Sequence, residues 1–458
     1  MDSYDLIVIG SGQGGGPLAG AFARAGKKVL LVERVHVGGT CINEGCTPTK
    51  TMVASGRNVY LARRGADFGF QTGPIAVDMR RVRERKQAVV DRFRDGSQHS
   101  IERAGVDLAF GVASFTGPKT IRVAVNGGGE REATAPNIVI DTGGRPAPLK
   151  VPGMESANAL DSTTIMELEQ VPEHLIVAGG GYIAMEFGQL FRRFGSQVTV
   201  IQRGKQLLAR EDPDVAEEVR KILVEDGIEV LLETSLASVR GGDGSVEVTV
   251  SSGGSERTIH GSHLLNAVGR TPNTEELNLP AAGVRTTASG HIPVNERLET
   301  NVPGVYAIGD VNGGPQFTHI SYDDFRILRG NLLEGRQMTT RGRLLPYVVY
   351  MDPELGRVGL TETEARQQGL DIRVASMPMS RVARAVEMDE PRGLMKAVVD
   401  ARSGQLLGCA ILGVFGGEMM SLVSVAMLGQ LHYEVLREGI FAHPTLAEAF
   451  NNLFGHFK

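Results

Sequence analysis

The chain has 458 residues and a formal net charge of −5. A chain of this length is too long to fold around one hydrophobic core, and it predicts about three domains. The small charge and the lack of a long basic run argue against nucleic acid and anionic membranes as partners. The most apolar late stretch, Met419 to Leu428, is too short to span a bilayer. The first predicted strand begins at Tyr4 and leaves no room for a signal peptide, so we expect a cytoplasmic protein.

The amino-terminal segment has the order of a Rossmann unit. A strand over residues 5–9, a glycine turn, a small-residue helix to about residue 25 and a strand over residues 28–32 follow one another. Gly10 permits the tight turn, Gly12 lets the backbone approach a pyrophosphate, and Gly15 lets helix and strand pack. Glu33 is positioned to accept hydrogen bonds from ribose hydroxyls. Together these features predict a dinucleotide site.

Two cysteines, Cys41 and Cys46, follow this unit. On an ideal helix their Cα atoms would lie roughly 8–9 Å apart, whereas a disulfide tolerates at most about 7 Å. A bridge therefore needs a bend, which Gly45 and Pro48 can supply. The short loop argues against a structural disulfide, and a cytoplasmic disulfide is usually catalytic or redox-sensing. Two reduced core thiols or half of a zinc site are alternatives; the third cysteine, Cys409, lies in an apolar stretch typical of a buried thiol.

The Rossmann order returns later in the chain. A strand over residues 175–178 leads to Gly179-Gly180-Gly181, a helix to about residue 194 and a strand over residues 197–201. Each unit is followed by a glycine-tipped hairpin, at residues 120–129 and 245–254, and by a buried strand, at residues 137–144 and 264–269. This internal repeat predicts two dinucleotide domains. Two such sites in one chain favour electron transfer between two cofactors.

The two copies differ at the residue that reads the ribose. Glu33 lies 23 residues after Gly10, and the same offset from Gly179 reaches Gln202, which Arg203 follows. Loss of the carboxylate removes repulsion of a 2′-phosphate, and the guanidinium can bind one. We therefore expect NADPH at the second site. NADH stays possible, because glutamine can still bond a ribose hydroxyl.

Several motifs resemble the class I pyridine nucleotide-disulfide oxidoreductases, the family of dihydrolipoamide dehydrogenase, glutathione reductase and mercuric reductase. The resemblance covers essentially the whole chain. The motifs are Gly38-Gly39-Thr40-Cys41 through Cys46-Thr47-Pro48-Thr49-Lys50, Thr142-Gly143-Gly144-Arg145-Pro146, Val268-Gly269-Arg270-Thr271-Pro272-Asn273 and Tyr306-Ala307-Ile308-Gly309-Asp310.

The resemblance implies an α/β fold with two Rossmann-like domains, one for FAD and one for NAD(P), and an α+β carboxyl-terminal dimerisation domain. The expected parts are residues 1–149 (FAD-binding, with the cysteine pair), 150–270 (NAD(P)-binding), 271–345 (second FAD-binding part) and 346–458 (dimerisation). It also implies a homodimer. No metal site is expected.

The resemblance also implies cofactor-binding residues. These are Gly10, Gly12, Gly15, Glu33, Arg34, Gly39, Thr40, Lys50, Thr142, Gly143, Gly179, Gly181, Tyr182, Ile183, Glu186, Gln202, Arg203, Gly269, Asp310 and Thr318. In the family pattern Asp310 reaches the flavin's ribityl chain, and the helix after Phe317 directs its positive end at the flavin ring. Lys50 sits near the flavin N5 and pairs with Glu186, while Tyr182 covers the nicotinamide pocket.

The implied catalytic residues are Cys41, Cys46, Lys50, Glu186, His443 and Glu448. NADPH reduces the flavin, the reduced flavin attacks Cys46, and Cys41 is released as the thiol that meets the acceptor. The histidine reaches the partner subunit's disulfide and moves protons at the Cys41 sulfur, and Glu448 orients the imidazole.

The acceptor is the open question. Residues 39–51 and 315–318 are most similar to mercuric reductases and to reactive-chlorine-resistance reductases that act on copper. We expect neither the amino-terminal metal-binding domain nor the carboxyl-terminal vicinal cysteines of mercuric reductase, and both departures count against mercury as the acceptor. His443 also suits thiol chemistry. The hypotheses are a reductase of a lipoamide-like or other small disulfide, a reductase of soft metal ions or quinones, and a flavin-bound redox sensor. Arg57, Arg63 and Arg64 are candidates to face an anionic substrate, with a solvated helix face as the alternative.

Overall fold

A computed structural model describes residues 1–242 and 244–457. Its strands are β1 (Asp2–Ser3), β2 (Leu6–Ile9), β3 (Val29–Glu33), β4 (Asp107–Gly117), β5 (Thr120–Val125), β6 (Glu130–Thr134), β7 (Asn137–Ile140), β8 (Gly144–Pro146), β9 (His174–Ala178), β10 (Gln197–Ile201), β11 (Glu229–Leu231), β12 (Ser235–Gly242), β13 (Ser245–Ser252), β14 (Ser255–Gly261), β15 (His263–Asn266), β16 (Arg270–Pro272), β17 (Val305–Ala307), β18 (Tyr347–Val349), β19 (Glu354–Gly359), β20 (Ile372–Pro378), β21 (Leu394–Asp400) and β22 (Leu406–Gly413).

The α-helices of the described residues lie between and after these strands. They are α1 (Gly15–Arg24), α2 (Gly39–Asn43), α3 (Cys46–Arg63), α4 (Met79–Arg103), α5 (Tyr182–Phe194), α6 (Pro213–Glu225), α7 (Thr318–Leu333), α8 (Glu362–Gln367), α9 (Ala383–Glu387), α10 (Gly416–Leu428), α11 (Tyr433–Glu438) and α12 (Ala449–Leu453). None of the helices within residues 1–242 and 244–457 combines the length and apolarity needed to cross a bilayer.

The chain forms two compact units. Unit one contains residues 1–51, 81–147 and 270–343, and unit two contains residues 52–80, 148–269 and 344–458. Most of the two expected FAD-binding parts, residues 1–149 and 271–345, falls in unit one, but residues 52–80 group with unit two. The four-part domain division stays a prediction.

Unit one is built on an eight-stranded sheet. Its strand order is β1-β6-β5-β4-β3-β2-β7-β17, parallel from β17 to β4 and antiparallel through β5 and β6. The parallel strands are apolar on both faces because both faces are covered. Leu6 and Val8 pack in the same core as Leu18 and Phe22 of α1, while Ile7 packs in a core on the other face.

The amino terminus differs from the prediction. The first strand is Asp2–Ser3, which pairs in parallel with β6, and the strand of the glycine turn begins at Leu6 rather than Tyr4. Asp2 and Ser3 are exposed and polar, so they lack the alternation of apolar residues by which a strand is predicted. Their backbone pairing with the edge of a hairpin is a long-range contact that the local sequence does not encode.

Unit two repeats the parallel arrangement on a smaller scale. Strands β11-β10-β9-β15 form a parallel sheet, and β12-β13-β14 form an antiparallel sheet. Strand for strand, β15, β9, β10 and β11 correspond to β7, β2, β3 and β4 of unit one. The predicted internal repeat is confirmed.

The carboxyl-terminal part of unit two is a five-stranded antiparallel sheet of order β18-β19-β22-β21-β20. Residues of α10 and α12 pack in the same apolar core as its strands. Cys409, on β22, is 1% exposed and belongs to this core, as expected for a buried thiol. Burial raises its pKa to about 12. Within the described residues, no group of three or more His, Cys, Asp or Glu side chains could hold a metal ion.

A buried ion-pair network connects the segment just before α6 to this five-stranded sheet. Arg357, which is 1% exposed, lies with its Nε 3.2 Å from a carboxylate oxygen of Glu211. Lys396 lies 3.2 Å from Asp212, and both are buried. Removing one partner from such a buried pair costs about 3–5 kcal/mol. The network therefore holds these two parts of unit two in register.

Candidate active site

The first glycine turn connects β2 to α1. Gly10 has a φ of +99°, and a Cβ there would overlap the Asp141 carbonyl. A Cβ on Gly15 would overlap the Gly10 carbonyl and lie 3.0 Å from a Val8 methyl group. The predicted need for glycine at the turn and at the helix–strand contact is confirmed. Backbone N–H groups are thereby left to form a cradle of the kind that holds a dinucleotide pyrophosphate.

Glu33 ends β3 beside this turn. Its Oε2 accepts hydrogen bonds from the N–H and hydroxyl of Ser11, at 3.1 and 2.6 Å, and its Oε1 accepts one from the Val35 N–H at 2.9 Å. The next residue, Arg34, is exposed and pairs with Glu276 at 3.0 Å. Glu33 is therefore oriented at the turn by its neighbours, as a ribose acceptor requires.

Asp141 lies against this turn, and the sequence prediction missed it. It follows β7, is buried, and accepts a hydrogen bond from the Gly15 N–H at 2.7 Å. Burial raises its pKa well above the ordinary value. A signal was present, since an apolar buried strand ends in a carboxylate at the same sheet edge as Glu33.

The cysteine pair lies at a break between two helices. α2 ends at Asn43, Glu44 has a φ of −141°, and α3 begins at Cys46. A Cβ on Gly45 would lie 2.9 Å from the Thr40 carbonyl oxygen. The predicted bend is confirmed, and glycine at position 45 is what allows the chain to pack this closely on α2.

The two sulfurs interact directly in this structure. Both cysteines are thiols, with Cys41 partly buried and Cys46 exposed. A hydrogen bond with Cys46 and burial raise the pKa of Cys41, while Thr318 and the charge of Lys50 act in the opposite direction. Cys46 occupies the first residue of α3, where the helix macrodipole favours negative charge. The geometry thus separates a partly buried thiol, Cys41, from an exposed one at a helix N-terminus, Cys46.

Helix α2, which carries Cys41, is held against the first glycine turn by contacts that the sequence prediction did not find. A Cβ on Gly39 would lie 2.7 Å from the Gly12 Cα. Asn43 donates from Nδ2 to the carbonyls of Val37 and Gly39, at 3.1 and 2.9 Å, and accepts from Arg94 Nε at 2.7 Å. Arg94 comes from α4, 51 residues away, so no local pattern indicates it.

Thr318 connects the cysteines to α7. The Sγ of Cys46 lies 3.3 Å from Thr318 Oγ1, and Thr318 is the first residue of that helix. The predicted helix after Phe317 is confirmed. Because helix N-termini carry partial positive charge, this end of α7 favours an anionic group near Cys46.

Other predicted FAD residues of unit one gather around β8 and β16. Thr142 donates to the Asn273 carbonyl at 2.7 Å, and the Asn273 N–H donates to the Gly143 carbonyl at 3.0 Å. Asp310 lies 3.7 Å from Arg270. Burial raises the pKa of Asp310, although Arg270 opposes the shift.

The second glycine turn lies in unit two. Gly179 has a φ of +122°, and a Cβ there would overlap the Ala267 carbonyl. Gly181 caps α5, which begins with Tyr182 and Ile183, and Gly269 follows β15 at the end of the same segment. This turn therefore has the geometry of the first.

Glu186 is buried in unit two. It is 4% exposed, and its Oε1 accepts a hydrogen bond from the Tyr350 N–H at 3.0 Å. Lys50 belongs to unit one. The Lys50–Glu186 pair and the role of Tyr182 at a nicotinamide stay predictions.

Gln202 lies across the second turn. Its Nε2 donates to the Gln206 carbonyl at 3.1 Å, and a Cβ on Gly180 would lie 2.8 Å from its Cδ. Arg203 and Lys205 are exposed. Lys205 and Arg220 border a cavity of about 270 Å³, whose other lining residues are Gln206, Leu207, Pro213, Ala216, Glu217 and Leu232. The turn therefore combines an uncharged side chain with nearby cations.

His443 and Glu448 form a pair in unit two. The imidazole Nδ1 lies 2.9 Å from Glu448 Oε2, and the histidine side chain is 68% exposed. A carboxylate at Nδ1 leaves Nε2 as the nitrogen that can exchange a proton with a substrate group. The predicted contact between the two side chains is confirmed. That His443 reaches the disulfide of a partner subunit stays a prediction.

The three arginines after the cysteines have partners inside unit two. Arg57 pairs with Asp352, and Arg64 with Asp389. Arg63 donates to the Arg193 carbonyl at 2.5 Å. Arg57 and Arg64 are partly buried ion-pair partners, whereas Arg63 is exposed, as a solvated helix face requires. The acids that pair with Arg57 and Arg64 lie far away in the sequence, so no local pattern indicates them.

Comparisons with known proteins agree with this geometry. The family profile described as pyridine nucleotide-disulphide oxidoreductase matches residues 4–324, and that of the family's dimerisation domain matches residues 345–454. The chain belongs to this family. It is therefore an enzyme of the class I pyridine nucleotide-disulfide oxidoreductases, which depend on FAD and NAD(P)H.

The chain is similar to proteins of three descriptions. The chain is 36% identical to the probable pyridine nucleotide-disulfide oxidoreductase RclA of Escherichia coli, over all of both chains. It is 36% identical to a mercuric reductase of Staphylococcus aureus over 97% of this chain and 81% of that one. It is also 36% identical to a dihydrolipoyl dehydrogenase of Thermus scotoductus, over 98% and 96%.

A solved structure shares the fold along the whole chain. The Cu(II) complex of the HOCl-induced flavoprotein disulfide reductase RclA from E. coli has a TM-score of 0.90 and 35% identity, with 99% of each chain covered. The predicted family and fold class are confirmed.

Proposed function

We propose that this family enzyme passes electrons from NADPH through FAD to Cys41 and Cys46 and on to a small disulfide, either lipoamide-like or another low-molecular-weight thiol disulfide. The observation that carries the proposal is the direct interaction of the two sulfurs at the break between α2 and α3. Transfer of two electrons opens a disulfide to two thiols, and the two sulfurs then have different surroundings. Cys46 would face the flavin, and Cys41 would meet the acceptor.

The first glycine turn supports FAD as the group held in unit one. Residues of the cradle are Gly10, Gly12, Gly15, Glu33, Thr142, Gly143 and Asp310. Bound FAD would supply two-electron transfer between a nicotinamide and a disulfide. The chain's own task is to keep the Cys46 sulfur at a helix N-terminus, beside Thr318, where a thiolate is favoured.

His443 and Glu448 support thiol chemistry at the acceptor end. A thiol that attacks or leaves a disulfide must lose or gain a proton, and an imidazole oriented by a carboxylate can carry it. The 2.9 Å contact provides that orientation. Reduction of a metal ion does not require such a group, so this pair favours a disulfide acceptor.

A soft metal ion is the second candidate acceptor. A structural relative at 35% identity is described as a Cu(II) complex, and other relatives are mercuric reductases. A dithiol pair is a good reductant and ligand for such ions.

A homodimer fits the exposed apolar residues of the dimerisation region. On α10 and just after it, Leu422, Val425, Leu428, Leu431 and Val435 are 45%, 67%, 72%, 39% and 50% exposed. Such a patch marks a protein interface. A second copy of the chain would cover these residues, and the His443 of one copy would lie at the cysteine pair of the other.

We also propose a cytoplasmic location.

Acceptor identity can be tested by NADPH oxidation against lipoamide, glutathione disulfide, Hg(II), Cu(II) and a quinone. We expect a disulfide to give the largest kcat/KM. A metal ion or quinone turned over faster than every disulfide would overturn the disulfide assignment. If no acceptor is turned over while NADPH still reduces the flavin, the chain would instead be a redox sensor.

The nicotinamide preference can be tested at Gln202. We expect Gln202→Glu to shift the NADPH-to-NADH ratio of kcat/KM towards NADH by at least about tenfold, equal to ~1.4 kcal/mol. A carboxylate at this turn repels a 2′-phosphate and accepts from ribose hydroxyls. Gln197→Glu is the control, because Gln197 is exposed at the other end of β10. An unchanged ratio in Gln202→Glu would remove Gln202 and Arg203 from the specificity argument.

A further inference from the structure

Asp141 is a buried carboxyl group beneath the first glycine turn. The residue is 6% exposed, and its Oδ2 accepts the hydrogen bond from the Gly15 N–H at 2.7 Å. Among the described residues this is the side chain's one hydrogen bond, and no cation pairs with it. A buried carboxylate normally has several donors or a cation. Asp141 therefore lacks the partners that its ionised form requires.

Backbone closes around the carboxyl group on three sides. A Cβ on Gly12 would lie 2.7 Å from Oδ2, a Cβ on Gly15 would lie 2.9 Å from it, and a Cβ on Gly309 would lie 3.0 Å from Oδ1. Glycines at these positions leave just enough space for the carboxyl group. It is thus part of the turn that would hold the negatively charged diphosphate.

The charges around Asp141 are also negative. Burial is the largest cause of its raised pKa, and the carboxylates of Asp310, Asp324 and Glu33 raise it further. Each of these has its own partners: Asp310 lies near Arg270, Asp324 bonds Arg343 at 2.7 Å, and Glu33 is held by Ser11. No such partner faces Asp141 within the described residues, so its neutral form is favoured.

We propose that Asp141 is a positioning residue for FAD that works as a neutral acid, so that FAD binding takes up one proton at any pH at which this carboxyl group is ionised in the free protein. The proton comes from solvent. The neutral acid keeps its carbonyl oxygen on the Gly15 N–H and places no charge against the diphosphate. An ionised carboxyl group would keep the same hydrogen bond but repel the diphosphate through the turn.

The inference rests on FAD binding at the first turn, and not on the acceptor. A measurement of FAD binding alone therefore tests this inference separately from the proposed acceptor. If Asp141 proves irrelevant while FAD still binds and NADPH is still oxidised, only this inference fails.

Release of FAD from the diluted holoprotein, followed by flavin fluorescence, tests the coupling between about pH 6 and about pH 9. Because the folded-state pKa is raised, the favourable neutral form is present at low pH and is lost as pH rises through that pKa. We expect the Kd of the wild type to rise with pH, with a limiting slope of about tenfold per pH unit. In Asp141→Asn, which has the same shape and no charge, we expect it to stay constant to within about twofold.

Glu390→Gln is the matched control. Glu390 is a buried carboxyl group of unit two whose pKa burial also raises, and its substitution should leave the slope of the wild type. Equal slopes in the wild type and Asp141→Asn, whether steep or flat, would overturn the inference. If Asp141→Asn does not fold, calorimetry of FAD binding to the wild type near the upper end of this range, about pH 9, in two buffers of different ionisation enthalpy decides. Absence of proton uptake there would also overturn it.

Discussion

Replacement of Cys46 by serine should abolish reduction of disulfides and metal ions while the protein keeps its yellow flavin. We expect kcat/KM to fall by at least about 10³-fold, as when a nucleophile is removed from other enzymes. A hydroxyl cannot form the bond to Cys41 or carry thiolate charge at the N-terminus of α3. Steady-state NADPH oxidation and the flavin absorption spectrum measure the two parts of this prediction.

Cys409→Ser provides the control for the Cys46 variant. Cys409 is a thiol of the same type, but it is 1% exposed in the core of unit two. Its substitution should lower stability and leave kcat/KM for the acceptor unchanged. Undiminished acceptor reduction by Cys46→Ser would disprove the proposed route of electrons.

Replacement of His443 by alanine should separate the two acceptor classes. With a disulfide, we expect a loss of about 10²–10⁴-fold, the usual contribution of a general acid–base group. With Cu(II) or Hg(II), the loss should stay below about tenfold, because no proton must reach a departing thiolate. The measurement is kcat/KM for both acceptors with each variant.

Glu448→Gln refines the histidine test. Glutamine can still bond the imidazole Nδ1 but lacks the charge, so we expect a smaller loss than in His443→Ala. His99→Ala, an exposed histidine on α4, should change neither activity. Equal losses for disulfide and metal in His443→Ala would argue against a proton-carrying role in disulfide reduction.

The elements around the cofactor turns were predictable because their signals are local. Strands that are buried on both faces are mostly apolar, and β10, with Val198, Val200 and Ile201 buried, was predicted at Gln197–Ile201, the bounds that the structure has. The bend at Gly45 followed from the reach of a disulfide and the rise of a helix.

Contacts between distant residues were not predictable in this way. Asn43 is held by Arg94, and Arg57 by Asp352, 295 residues away. Charged side chains on a helix carry the same local pattern whether they face water or a distant acid. Only folding places the acid beside them.

By itself, the sequence determined the duplicated nucleotide units, the family, the cysteine pair and the His443–Glu448 pair, since each depends on residue types at short spacing. The tertiary structure alone decided which carboxyl groups are buried and who their partners are. Burial and charge at Asp141 come from strands and turns that meet only in the folded sheet. For that reason the protonation of Asp141 depends on the fold, whereas the position of the cysteine pair could be read from the chain.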